Sequence, residues 1–304
     1  MSDIGAQQFN ANNKKKNEKA VSITKRSQNK EIIIRFLRNK AAVLGLIIVV
    51  VLIFCMLFPT ALTSYDPIKQ NFSERFVPPN REHLFGTDEF GRDIFTRVVY
   101  GCRTSLRIGL ISVGISCIIG VLIGSIAGFY GGVIDSIFMR CIDVLMAIPN
   151  TLLGISIVAA LGQSITNLII AISIGSISGY ARITRVSVLT VKDLEYVEAA
   201  RATGSSNARI IIKYILPNCL APIIVHATMS IAVAIMTATG LSFLGLGVPA
   251  PTPEWGSMAS SARAYIRDYW WLVTFPGLAI MASAFSFNLF GDGLRDALDP
   301  KLKN

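Results

Sequence analysis

The chain is organised by long stretches that carry no charged side chain. Lysine, arginine, aspartate and glutamate are all absent from 41–65, 108–134, 144–181, 214–253 and 269–291. About 20 apolar residues in a helix are needed to cross the hydrocarbon core of a bilayer, and each stretch is long enough. The pattern predicts a first span over 41–58, closed by Pro59, and a second over 108–129, ended by Tyr130-Gly131-Gly132. The stretch 144–181 is too long for one crossing and holds Gly162-Gln163-Ser164 near its middle, which divides it into spans at 142–161 and 165–185. A fifth span lies within 219–246 and a sixth over 270–291. The expected fold is an all-α integral membrane protein with six transmembrane helices.

Composition strengthens this. The 304 residues are 52% hydrophobic and only 16% charged, with a mean hydropathy of +0.54. Soluble domains carry about 25% charged residues, so a soluble α/β enzyme, a disordered chain and a disulfide scaffold are excluded. The five cysteines (Cys55, Cys102, Cys117, Cys141, Cys219) show no metal-ligand spacing and sit mostly in or beside apolar segments, where cysteine acts as a small hydrophobe. The two histidines, His83 and His226, are far apart. No metal and no other cofactor is expected.

Charge orients the spans. Residues 1–40 hold ten Lys/Arg against three acids and read as a basic cytoplasmic tail, because positive flanks stay inside. Six crossings then return the tail 292–304 to the cytoplasm. The loop from Arg182 to Lys213 has six Lys/Arg and three acids, as a cytoplasmic loop should, whereas 59–107 is nearly neutral, with seven against six, and is assigned outside. The core is 108–291, containing a cytoplasmic loop at 186–218. Within the spans, Asp143 is expected to pair with Arg140 three residues earlier on one helix face. Arg182 and Arg185 are expected to snorkel toward headgroups. Pro149 and Pro222 are positions for kinks.

The cytoplasmic loop reads as helix, break, helix. Glu195 to Ala202 is built of strong helix formers, Gly204 suits a helix C-terminus, Ser205 or Ser206 can cap the next turn, and Pro217 suits a bend at the membrane. Small residues Ala199, Ala200 and Ala202 would form an edge open to close approach, on an interaction helix or an ordinary amphipathic surface helix. On the other side, His83-Leu84-Phe85-Gly86-Thr87-Asp88-Glu89-Phe90-Gly91-Arg92-Asp93 is a turn-rich polar loop. It could be a folded cap with internal ion pairs or a contact for a ligand. No Walker-type phosphate loop, HExxH or GxSxG occurs, so the chain is not expected to be an enzyme.

Glu198-Ala199-Ala200, then three residues, Gly204, nine residues, Tyr214 and Leu216-Pro217 resemble the EAA loop of ABC importer permeases, with Tyr214 where isoleucine is more usual. The outer block from His83 to Asp93 is similar to the dipeptide, oligopeptide and nickel permeases. So are Leu241-Ser242-Phe243-Leu244-Gly245-Leu246-Gly247, Pro251-Thr252-Pro253-Glu254-Trp255-Gly256, Phe275-Pro276-Gly277 and Asn288 to Pro300. One departure is Thr237-Ala238-Thr239-Gly240, where many relatives carry an acid. The resemblance implies a C-type subunit with the type I transmembrane-domain fold. It further implies ATP-driven import of di- or oligopeptides, with nickel or another small solute as the alternative and a stand-alone secondary transporter as the rival class. The implied ATPase-coupling residues are Glu198, Ala199, Ala200, Gly204, Leu216 and Pro217, and the outer motif residues are Gly86, Thr87, Asp88, Gly91, Arg92 and Asp93. Implied partners are a homologous permease subunit in a heterodimer, two ABC ATPase subunits, an extracytoplasmic solute-binding protein and the lipid bilayer, with no nucleic acid.

Overall fold

A computed structural model describes residues 30–298. Residues 1–29, with most of the basic tail, and 299–304 lie outside the described residues. The elements are α1 (30–38), α2 (Lys40–Leu57), α3 (Pro59–Leu62), α4 (Ile94–Tyr130), α5 (Gly132–Ala147), α6 (Asn150–Leu161), α7 (Ile165–Val191), α8 (Glu195–Ala202), α9 (Asn207–Phe243), α10 (Trp255–Ser261) and α11 (Trp271–Leu298). By length and composition α2, α4, α9 and α11 can each cross a membrane. The pair α5–α6, bent by 85°, makes a fifth if it counts as one broken span.

Helices lie over all six expected spans with changed ends, but by length and composition only four of them, or five with the bent pair, can cross a membrane, and α7 is not among these. Asn39 caps α2, its Oδ1 accepting from the Ala41 and Ala42 amides, and Pro59 opens α3. The second helix begins at Ile94 rather than 108 and runs 37 residues, about 55 Å at 1.5 Å per residue. Its first turns carry Arg97 and Arg103, whose charges hide them from an apolar pattern, yet both guanidinium groups are used. Arg103 donates to the Met56 and Leu57 carbonyls at 2.9 and 3.3 Å, satisfying the open C-terminal end of α2. Pro149 does more than kink the third span: Ile148 and Pro149 are both extended, and the helix breaks there. Gly162, at φ +87°, ends α6 as expected, and Ser164 caps α7 by accepting from the Asn167 amide at 3.0 Å. The fifth helix starts at Asn207. A π-helical turn over Ile210–Ile215 precedes Pro217, whose missing N–H and bulky ring leave the normal i→i−4 bond impossible there. The last helix continues to Leu298, so the segment 292–304 is helical through that residue rather than a free tail.

The centre of the bundle is the contact between α4 and α7. Residues Ser112, Ser116, Gly120, Gly124 and Gly128 recur every four positions on one face of α4. They meet Ile169, Ser173, Tyr180, Ala181 and Val188 in ascending order, so the two helices run parallel. A Cβ added at any of the three glycines would overlap α7. Close approach of this kind drives helix association in lipid, where apolar surface alone gives no preference for a neighbour. Ser116 Oγ donates to the Ser173 carbonyl at 2.9 Å, adding a polar tie. Because α4 and α7 are parallel, α5–α6 carries the chain back between them. Its start lies by the end of α7 (Asp135–Arg185, 2.5 Å) and its end by the start of α7 (Asn167 Nδ2 to the Leu161 carbonyl, 2.9 Å).

Two expectations about charge are corrected here. Asp143 pairs with Arg182 of α7 at 2.5 Å, not with Arg140, and Arg185 makes a bidentate pair with Asp135 rather than reaching only for headgroups. The antiparallel run of α5 along α7 brings these partners together across about 40 to 50 residues of chain, as the intervals 143–182 and 135–185 show, and i,i+3 spacing cannot reveal that.

Candidate functional site

Two constructions flank the bundle. On one side α8 is strapped to the ends of α7 and α9. Val197 and Ala200, three residues apart, are buried with Val188, Ile210, Ile215, Cys219 and Ile223. Arg201 lies over the Phe129 ring at 5.8 Å, tying the same helix to the end of α4. A Schellman motif stops α8: the Gly204 N–H donates to Arg201 O at 3.0 Å and the Ser205 N–H to Ala200 O at 3.1 Å. Gly204 holds φ +78° in open space.

The opposite face of α8 is exposed and consists of Glu195, Glu198, Ala199 and Ala202, the i, i+3, i+4, i+7 stripe of a helix. Of the sequence-derived coupling residues, Glu198, Ala199, Gly204 and Pro217 are thus exposed, Leu216 is half-buried, and Ala200 is buried. The small-residue edge is therefore Ala199 and Ala202. Ala200 faces the apolar cluster instead, because it sits three residues after Val197.

On the other side, the six outer motif residues come together as a compact knot. Thr87 and Asp93 form an isolated antiparallel bridge. The Thr87 hydroxyl donates to the Glu74 carbonyl and accepts from the Val77 N–H at 2.8 Å. Gly86 (φ +77°) fits against Val77 and Trp271, and Gly91 (φ +71°) lies so close to the Asn71 carbonyl that a side chain would overlap it. Asp88 accepts from the Phe90 and Arg92 amides at 2.9 and 3.0 Å and from Arg92 Nε at 2.7 Å. Asp93 caps α4 through the Thr96 amide at 2.7 Å and meets His83 Nδ1 at 2.9 Å. Asp88, Arg92 and Asp93 are all buried. The motif holds the loop to the start of α4, through Asp93 and the Thr96 amide, and to the start of α11, through Trp271. Burial pushes the Glu89 carboxyl above the ordinary glutamate range, although its own backbone and the neighbouring arginines oppose the shift.

A further polar centre escaped the sequence reading. Glu254 is 1% exposed and caps α10. Its carboxylate accepts from Gly256 N and Ser257 N, both at 2.7 Å, from Ser242 Oγ at 2.8 Å, and from Ser105 Oγ at 3.3 Å. It thereby joins α4, α9 and α10, while Trp255 Nε1 donates to the Val98 carbonyl at 2.8 Å. The available signal was an acid that ends the uncharged stretch 214–253 directly before Trp255-Gly256-Ser257.

A helical bundle with a helix strapped to one end and a loop tied at the other has, as two solved structures show, the fold of a type I ABC importer transmembrane domain. The inward-facing methionine ABC transporter matches with a TM-score of 0.55 at 16% identity, covering 67% of this chain and 97% of that chain. An amino acid ABC transporter determined with histidines gives 0.50 at 18% identity, covering 69% and 95%. These establish the fold. Residues 120–304 match the family described as the binding-protein-dependent transport system inner membrane component, and 27–79 match the N-terminal TM domain of oligopeptide transport permease C.

The chain belongs to this family of binding-protein-dependent inner membrane components. It is similar to the dipeptide transport system permease protein of Alkalihalophilus pseudofirmus, at 49% identity over 88% of each chain. The di/tripeptide permease of Pseudomonas aeruginosa is 47% identical over 88% of this chain and 91% of its own. The oligopeptide permease of Bacillus subtilis is 42% identical over 93% and 94%. This chain is accordingly a multi-pass inner-membrane permease subunit of an ABC importer, and not the ATPase.

Proposed function

We propose that the chain forms half of a pathway for di- or oligopeptides, with a homologous permease supplying the other half in a heterodimer. Two ATPase subunits would drive it, and a solute-binding protein would deliver the peptide. Peptide is favoured over nickel because the similar relatives above carry peptide-transport names. In this reading α7 is the fourth of six crossings, both termini and α8 are cytoplasmic, and 59–93 is outside. The segmentation into a basic tail, a first helix, an outer loop, a core and a C-terminal segment belongs to the same proposal.

The observation that carries the coupling role is the two-faced construction of α8. Its inner face is packed into both α7 and α9, so the helix cannot be displaced without moving the ends of two membrane helices. Its outer stripe of Glu195, Glu198, Ala199 and Ala202 is free for a partner. Closure of the ATPases would push on this stripe, and the packed cluster would transmit the push to the bundle, since packed elements switch between discrete arrangements rather than deforming continuously. Reconstituted complex carrying Glu198→Lys should lose ATP-dependent dipeptide uptake while still inserting in the membrane. Unchanged uptake and unchanged ATPase association would refute the assignment.

A further inference from the structure

A cavity of about 380 Å³ lies between α6, α9 and α11, bordered by Thr151, Met236, Thr237, Gly240 and Asn288. The neighbours of Asn288 fix its depth. Leu289 and Phe290 press on Gly45, which lies five residues inside α2 (Lys40–Leu57), about 8 Å from that end at 1.5 Å per residue. Gly291, further along α11, meets Thr228 and Met229 of α9. Asn288 therefore stands within the membrane-crossing part of the bundle.

It is nevertheless exposed, and its side-chain amide has no hydrogen-bond partner among the described residues. The neighbouring serines of α11 differ. Ser283 and Ser286 are buried, and each donates to a carbonyl of its own helix, at 2.8 and 2.9 Å. An amide turned toward hydrocarbon would give up its bonds to water for nothing in return. Polar side chains at such depth face protein or a water-filled space instead. The surface beside Asn288 is hollow: Gly240 has open space where a Cβ would stand, and the volume falls within the range of small-solute sites. No Asp, Glu, Lys or Arg borders it, so it selects no charge. Asparagine offers both an acceptor oxygen and donor hydrogens, the complement of a backbone N–H and C=O, whatever side chains the peptide carries. Met236 beside it is flexible and polarizable, and packs against varied apolar groups.

We propose that this cavity is the chain's wall of the translocation passage, and that Asn288 holds the main-chain amide of the peptide in transit. The assignment rests on the peptide reading above and deepens it. Recognition of the main chain, with Met236 against the side chains, lets one passage serve peptides of different sequence.

The test uses the full complex in proteoliposomes, with its solute-binding protein and ATP. Single cysteines replace Thr237 at the cavity and, as a reference, Val50 on the exposed side of α2. Modification at each position is followed by mass spectrometry. A charged methanethiosulfonate should modify Thr237→Cys and spare Val50→Cys, and saturating dipeptide should slow the reaction several-fold. Asn288→Ala should lower dipeptide uptake several-fold at an unchanged thermal midpoint. With the binding protein saturated by either ligand, it should also erase the preference for the dipeptide over its ester analogue, which lacks the backbone N–H. A Thr237→Cys as unreactive as Val50→Cys would overturn the proposal, because lipid or the sister permease then covers this face. Labelling indifferent to dipeptide, or an unchanged dipeptide-to-ester ratio in Asn288→Ala, would overturn it as well. Absence of dipeptide uptake by the unsubstituted complex, with Thr237→Cys still modified, would instead remove the peptide reading and the backbone contact while the water-filled passage stands.

Discussion

Replacing Val197 by alanine probes how α8 is held. Val197 is fully buried against Val188, Ala200, Ile210, Ile215, Cys219 and Ile223. The change deletes two methyl groups. At about 0.8 kcal/mol for each buried group, plus a cavity contribution, the loss is about 2 kcal/mol. The helix has eight residues and is anchored chiefly by two side chains and Arg201, so the loss falls on its local opening rather than on the whole bundle. At about 1.4 kcal/mol per decade, exchange protection of the amides in 195–202 should fall about 30-fold. Amide hydrogen exchange on the purified complex reads this directly, with 112–128 of α4 as the reference that stays unchanged. Dipeptide-stimulated ATP hydrolysis should persist in part while uptake per ATP falls, because a loosely held lever moves without moving α7 and α9. Equal protection of 195–202 in both proteins would refute the reasoning, and so would equal loss in α4.

Other consequences follow from the remaining contacts. Gly124→Leu drives a side chain into the Ala181 carbonyl and Thr184, and should destabilise the α4–α7 pair by 3 kcal/mol or more, on the order of severe overpacking, read as a lower thermal midpoint in detergent. Glu254→Ala leaves two amides and two serine hydroxyls without their acceptor. It should lower stability by about 2–3 kcal/mol, with Glu254→Gln closer to the parent in the same assay. Glu89 has a raised pKa when folded, so the folded loop binds a proton more readily than the unfolded one. Its stabilising contribution is complete below the ordinary glutamate value and is lost as pH rises through the folded value. Limited proteolysis of 72–93 should therefore speed up across that interval, and Glu89→Gln should flatten the dependence.

Much of the architecture was legible because charge is so unevenly placed. Lys40, Asp66, Lys213, Glu254, Asp268 and Asp292 bound the apolar stretches of three observed long helices, although Lys213 lies inside α9 and Asp292 inside α11, and Gly162-Gln163-Ser164 marks the turn between α6 and α7. What was hidden depends on partners distant in sequence. The first turns of α4 looked like loop because Arg97 and Arg103 are charged. Their hydrogen bonds to the carbonyls of Pro67, Met56 and Leu57 exist only once α2 and the outer loop are in place. The same holds for Asp143 with Arg182. The four-residue repeat from Ser112 to Gly128 was present in the sequence, yet nothing in it specifies that α7 is the neighbour or that the pair is parallel. In the coupling loop the helix, its glycine stop and its exposed residues were readable from propensity and resemblance. The inward turn of Ala200 follows from its spacing to Val197, which acquires meaning only against Ile210 and Ile215.

The claim that organises the account is that the exposed stripe of α8 is worked by ATPase subunits. Cysteine at Ala199, cross-linked with a short bifunctional thiol reagent in intact complex, tests it most directly. The account predicts a conjugate with an ATPase subunit, weakened when Glu198→Lys is added. A conjugate with the solute-binding protein, or labelling of that cysteine by an impermeant reagent from outside the cell, would contradict it.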